Sequence, residues 1–153
     1  MHGPRQLKLD DQLCFALYAA TNAVVRAYRP LLAEIDLTYP QYLIMLVLWQ
    51  DGPGVVTHIA DRLNLAPNAI SPLLDRLEKQ GLVLRQRDRD DRRVVHVELT
   101  QKGREAHEAA SLAQYDVVCQ TQLAPDDLDR LRDELRALAD RIGAATAVAD
   151  QGD

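Results

Sequence analysis

The sequence predicts a mainly α-helical fold with a small β wing: a winged helix-turn-helix set between long terminal helices. Three observations carry this. Two short helical segments, residues 57–63 and 68–80, are joined by the tight turn Asn64-Leu65-Ala66-Pro67. Two β-rich runs, 82–84 and 94–99, flank a charged segment over 87–93, which is the pattern of a hairpin. Long amphipathic stretches precede and follow this unit.

The elements follow in chain order. Asp10 or Asp11 is expected to cap a first helix with Leu13, Leu17, Ala20, Val24 and Ala27 on one stripe and Pro30 near its end. Thr38, with Pro40 in the first turn, opens a second helix that is apolar almost all round over 42–49 and therefore central. Asp51-Gly52-Pro53-Gly54 breaks it, and Gly81 stops the second helix of the helix-turn-helix. Thr100 caps a long helix reaching about Cys119, and Pro125 begins a last one. Its apolar stripe is Leu128, Leu131, Leu135, Leu138 and Ile142, with Asp126, Arg130 and Asp133 opposite. The first and last helices leave apolar faces uncovered, and a second subunit is the simplest partner. The expected organisation is one domain over 1–153, with a DNA-binding core at 38–99 and dimerisation helices at 10–34 and 101–147.

A chain of 153 residues, 47% hydrophobic and 27% charged, buries a core without metal or disulfide staples. The longest apolar run is far below the roughly 20 residues of a membrane span, and residues 1–8 lack the apolar centre of a secretion signal. A cytoplasmic protein is expected, and in that compartment two cysteines form no permanent disulfide. The four histidines, His2, His58, His96 and His107, and the cysteines show no metal-ligand spacing, and no cofactor is called for. The net charge of −5 is unevenly spread. Residues 56–100 hold eight Lys/Arg against seven Asp/Glu, whereas the rest holds ten against sixteen. Five arginines, Arg85, Arg87, Arg89, Arg92 and Arg93, crowd into nine residues of the wing.

In a helix-turn-helix the second helix enters the major groove with its N-terminal half against base edges. Those positions are Asn68, Ala69, Ser71 and Pro72, with Arg76 one turn on. Asn can pair with adenine, Ala and Pro can meet the thymine methyl, and Arg76 can reach guanine or phosphate. The wing arginines suit the backbone or the negative minor groove. Asp91, two residues before Arg93, can hold that guanidinium by a bidentate pair. Ile59-Ala60-Asp61-Arg62-Leu63, Leu74-Asp75-Arg76-Leu77-Glu78-Lys79-Gln80-Gly81-Leu82, Asp91-Arg92-Arg93 and Leu99-Thr100-Gln101-Lys102-Gly103 resemble the MarR family of bacterial transcription regulators. The resemblance implies that the terminal helices of two subunits intertwine into a homodimer. It also implies that Asp91 and Arg93 support minor-groove contact.

The second constellation is built on sulfur. Five Tyr stand against one Phe, and Tyr18, Tyr28, Tyr39 and Tyr42 lie within 25 residues. Phenolic hydroxyls donate hydrogen bonds, and bonds donated to a thiolate favour its charged form. Cys14 sits in the first turn of its helix, where free N–H groups and the helix dipole act in the same sense, although Asp10 and Asp11 oppose them. Tyr18 and Tyr28 share its stripe, but Tyr28 is about 21 Å farther along the axis and can reach only the Cys14 of an antiparallel partner. Cys14, Tyr18, Tyr28 and Tyr39 at these spacings, with Thr38-Tyr39-Pro40-Gln41-Tyr42, resemble the OhrR branch of the same family, the organic-hydroperoxide-sensing repressors. That resemblance implies that Cys14 is oxidised to sulfenic acid and that Tyr28 and Tyr39 of the other subunit bond its sulfur. In the two-cysteine class, Cys119 of the opposite subunit completes a disulfide.

The reading is therefore a homodimeric repressor of an inverted-repeat operator in double-stranded DNA, released when an organic hydroperoxide oxidises Cys14 and Cys119 closes the disulfide. The alternative is a repressor of the same fold released by a small phenolic ligand, with passive cysteines. A peroxidase turning over at Cys14 lacks a general acid and leaves the wing unexplained, so no enzyme is expected.

Overall fold

The computed structural model describes residues 7–150; His2 lies outside them. Residues up to Val117 form one compact unit and those from Val118 a second.

In the first unit, α1 (Leu13–Ala33) follows a single 3-10 turn, Leu9–Asp11. Neither Asp10 nor Asp11 caps α1. The N–H groups of Asp11 and Gln12 bond Lys8 and Leu9 carbonyls, placing both aspartates inside that turn, and Gln12 becomes the uncapped boundary residue. α1 runs unbroken through Pro30, which has no N–H for the Arg26 carbonyl. Buried Tyr28 and Leu32 hold the last turns against α2. The helix closes on Asp36 in the left-handed region, with Leu37 N–H bonded to Leu32 O at 3.0 Å.

Thr38 opens α2 (Tyr39–Asp51) as expected and forms a full capping box: its hydroxyl accepts from Gln41 N–H while Gln41 Oε1 accepts from Thr38 N–H. Tyr42, Ile44, Met45, Val47 and Leu48 make this apolar helix the centre of the core. α3 (Val56–Leu63) and α4 (Pro67–Lys79) form the helix-turn-helix, closed at Asn64 and Gly81 by the same left-handed device as α1. α4 begins one residue earlier than the sequence suggests, because Pro67 suits the first helical position. Ile59, Ile70, Leu74 and Leu77 are fully buried between them and α2. Burying each such side chain contributes about 1.5–3 kcal/mol.

The sheet has three strands in the order β1-β3-β2, all antiparallel: β1 (Gly54–Val55), β2 (Val83–Arg87) and β3 (Val95–Leu99). Strand β1 is only two residues after a Gly-Pro-Gly break, too short to leave a periodicity. β2 runs three residues beyond the apolar run, since Arg85 and Arg87 pair with Val97 and Val95 and extend their side chains from an edge strand. α5 (Gln101–Gln120) starts at Thr100, whose hydroxyl accepts from Gly103 N–H at 3.0 Å. A Cβ on Gly103 would stand 2.1 Å from the Leu82 carbonyl oxygen, so only glycine lets α5 lie on the base of the wing.

The second unit holds the last turn of α5, with Cys119, and α6 (Pro125–Asp150), on which Leu131, Leu135 and Ile142 are exposed. Among the described residues no helix is long and apolar enough to cross a membrane.

Candidate nucleic-acid interface and thiol site

Alternation along α4 sorts its residues into two faces. Ile70, Leu74 and Leu77 are buried, whereas Asn68, Ala69, Ser71, Pro72 and Arg76 are exposed along the outer face. Leu73 is half-buried against the core, and Leu82 is buried. Pro72 lies inside the helix and lacks an N–H, so the Asn68 carbonyl in the first turn has no i+4 helical donor. Arg76 makes no ion pair among the described residues and is available to an anion.

The wing tip is ordered by two aspartates. Asp88 Oδ2 accepts from Asp90 and Asp91 N–H at 3.0 and 3.1 Å, Oδ1 lies 2.9 Å from His96 Nε2, and Asp88 N–H closes the loop on Val94 O. Asp91 Oδ1 accepts from the backbone N–H and Nε of Arg93, and Oδ2 accepts from Nη2 at 3.1 Å, so the pair read from the two-residue spacing is bidentate. His96, then the loop amides, hold the Asp88 carboxyl below its ordinary range; Arg93 does the same for Asp91. The Arg93 side chain is nevertheless 91% exposed, a cation fixed in direction and open to solvent. Arg87 donates from Nη1 to Arg92 O, and Arg89 and Arg92 are exposed.

Arg85, counted with these arginines in the sequence, does something else. Its guanidinium is engaged by Asp75 and Glu78 of α4, and its backbone N–H donates to Glu78 Oε2 at 3.0 Å. It is a clasp between α4 and the wing.

Cys14 is the second residue of α1 and is exposed, with exposed Leu13, Phe15 and Tyr18 around it. Tyr28, fourteen residues on along the same unbroken helix, is 8% exposed and belongs to an aromatic cluster that the sequence only partly revealed. Its ring centroid lies 5.4 Å from Tyr39 and 5.2 Å from Tyr42, with Tyr39 and Tyr42 6.0 Å apart. The fold thus joins Tyr28 and Tyr39, adds Tyr42, and leaves Tyr18 outside, 67% exposed one turn from Cys14. The three-residue step from Tyr39 to Tyr42 on one helix was the available signal for the third member. Burial, then the Tyr28 charge, raises the Tyr39 hydroxyl above its ordinary value; burial and the Tyr28 hydroxyl raise Tyr42 further. These phenols therefore stay protonated as donors. Beside Tyr39 a cavity of about 380 Å³ opens among Val25, Arg29, Ala33 and Leu37. Cys119 is exposed near the end of α5, in the second unit.

A model of the family described as transcriptional regulator SarA/Rot matches residues 26–110. The HTH-type transcriptional regulator TtmR of Methylorubrum extorquens (strain PA1) is 46% identical over 136 residues, covering 89% of this chain and 70% of that protein. The organic hydroperoxide resistance transcriptional regulator of Bacillus subtilis (strain 168) is 35% identical over 136 residues, 89% of this chain and 92% of its own. Among solved structures, AbfR of Staphylococcus epidermidis superposes with a TM-score of 0.74 at 32% identity, covering 88% of this chain and 92% of that one. AbfR has been solved reduced on DNA and in a disulfide form.

Proposed function

This chain belongs to the MarR family of transcription regulators, in its OhrR-type branch, and from that premise we propose that it is a homodimeric, redox-controlled repressor sensing organic hydroperoxides through Cys14. Its relatives are transcription regulators, not enzymes.

The observation that carries the proposal is the continuity of α1 from Leu13 to Ala33. An unbroken helix sets Cys14 about 21 Å along the axis from Tyr28 of its own chain. The Tyr28 and Tyr39 hydroxyls therefore serve the Cys14 sulfur of a second subunit. α1, α5 and α6 supply the dimer contacts through their exposed apolar side chains, and each subunit offers one α4 and one wing to an inverted-repeat operator. Asn68, Ala69, Ser71, Pro72 and Arg76 meet the major groove; Arg87, Arg89, Arg92 and the Asp91–Arg93 pair meet the flanking backbone and minor groove. The AbfR complex with DNA supports this placement as an analogy.

In the chemical step the Cys14 thiolate attacks the outer peroxide oxygen. The O–O bond breaks, the sulfur becomes sulfenic acid, and the hydroperoxide, taking a proton, leaves as an alcohol. The Cys119 thiolate of the partner then attacks that sulfur and expels hydroxide, which leaves as water. The disulfide holds the two winged helices at a spacing that no longer matches the operator. A thiol reductant restores the first state. A cytoplasmic setting, where thiols are kept reduced, suits this cycle.

The test is operator binding by gel shift with and without an organic hydroperoxide, followed by dithiothreitol. The parent chain should leave DNA on oxidation, run as a covalent dimer on non-reducing gels and recover with reductant. Cys14→Ser should bind and stay bound. Cys119→Ser should form no covalent dimer, and its sulfenic acid should be trapped by dimedone. An oxidant response that survives in Cys14→Ser removes Cys14 as the sensor. The second reading, release by a phenolic ligand, draws on the apolar cavity of about 380 Å³ lined by Leu48, Trp49, Leu99, Arg104 and His107. Release by a non-oxidising phenol from Cys14→Ser would favour it.

A further inference from the structure

Gln41 is the one polar side chain that is buried among the described residues, 2% exposed, and the capping box accounts for only half of its amide. Its Oε1 accepts from Thr38 N–H at 2.9 Å, while its Nε2 donates to Oε1 of the half-buried Gln80 at 3.4 Å. Gln80 in turn donates to the carbonyl of Asp36. Three hydrogen bonds thus link Thr38 to Gln41, Gln41 to Gln80 and Gln80 to Asp36, and the backbone from Asp36 to Thr38 closes the loop. One side of it is the α1–α2 turn immediately before Tyr39; the other is Gln80, the cap residue that follows the last residue of α4. Gln80 is also a junction. Its carbonyl accepts from Lys102 Nζ of α5 at 2.8 Å, and Gly81, left-handed, turns the chain from α4 toward the wing.

A buried amide that loses its partner keeps the full penalty of its desolvation. Displacing the Thr38–Tyr39 segment must therefore either strand the Gln41 amide or carry Gln80 along with it. We propose that Gln41 and Gln80 are positioning residues that couple the sensor tyrosine Tyr39 to the reading helix α4, so that a change at the partner's sulfur alters the set of α4. The proposal rests on the redox reading above. It adds a path inside each subunit to the rigid displacement of whole subunits.

The coupling is read as the ratio of operator Kd after and before hydroperoxide treatment, with Cys14 oxidation followed separately by mass spectrometry. Gln80→Ala should bind operator when reduced within about threefold of the parent and oxidise at the parent rate. Its oxidised-to-reduced Kd ratio should nonetheless shrink by about 5-fold or more, the lower end of ordinary coupling between sites. Gln80→Met keeps the length without the amide and should shrink the ratio equally. Adding Gln41→Met to either should give little further change, since the two act through one bond. A structural role alone would lower thermal stability and leave the ratio unmoved. A ratio within twofold of the parent in folded Gln80→Ala and Gln80→Met, with Cys14 oxidised, overturns the coupling while the redox reading stands. A parent chain that keeps its operator after Cys14 is oxidised overturns both.

Discussion

Removing the Arg93 guanidinium should change the salt dependence of operator binding more than it changes the fold. The side chain is 91% exposed, but two hydrogen bonds from its guanidinium to the Asp91 carboxylate, with a third from the Arg93 backbone N–H, fix its direction. If each guanidinium neutralises one phosphate, Arg93→Ala removes two contacts per dimer. With a slope of about −0.9 per phosphate neutralised, the plot of log affinity against log salt should flatten by about 1.8. Over a fourfold rise in salt, for instance about 50 to 200 mM, the variant should lose about 12-fold less affinity than the parent. Asp91→Asn separates aiming from charge: it keeps both cations but loosens the clamp. It should bind more weakly at every salt concentration with nearly the parent slope. Fluorescence anisotropy of a labelled operator and of random DNA, titrated at five salt concentrations, reads both quantities. An unchanged slope in Arg93→Ala would show that the guanidinium touches no phosphate. Tighter binding by Asp91→Asn would show that the carboxylate merely repels the DNA.

Two further outcomes follow from the fold. Gly103→Ala should cost about 1–3 kcal/mol or more, because its Cβ would meet a backbone oxygen that cannot move aside as a side chain does; urea denaturation showing parent stability would refute the contact. Tyr42 stays neutral in the folded protein above the pH at which it ionises in the unfolded chain, whose ordinary value is 10.0. Its folded-state pKa is raised, so stability is intact below pH 10 and declines as pH rises beyond it. Tyr42→Phe should flatten that alkaline decline in a thermal-melting series from pH 8 to about pH 11, and an identical decline in both proteins would assign it elsewhere.

The helix-turn-helix was legible because its signals are local. Gly81 and the Asn64–Pro67 turn punctuate two amphipathic segments whose apolar residues repeat at helical spacing. The Asp91–Arg93 clamp was legible for the same reason, since two residues in one tight loop meet whatever surrounds them. Cys14 and its tyrosines stood out by composition, and the length of α1 followed from its periodicity. Other features depend on elements far apart in the chain. β1 exists only because β3 offers an edge to Gly54 and Val55. Arg85 reads as one more basic residue of the wing until α4 brings Asp75 and Glu78 to it. Tyr42 became part of the cluster when α1 and α2 packed at Tyr28. Gln41 and Gln80, 39 residues apart, carry no joint signature in the sequence. The sequence by itself determined which segments are helical and, to within a few residues, where they stop, because near-neighbour sterics and periodic burial decide those. Only the tertiary structure decided which polar groups found partners, because burying a polar group requires that partner and the chain supplies it from wherever the packing brings it.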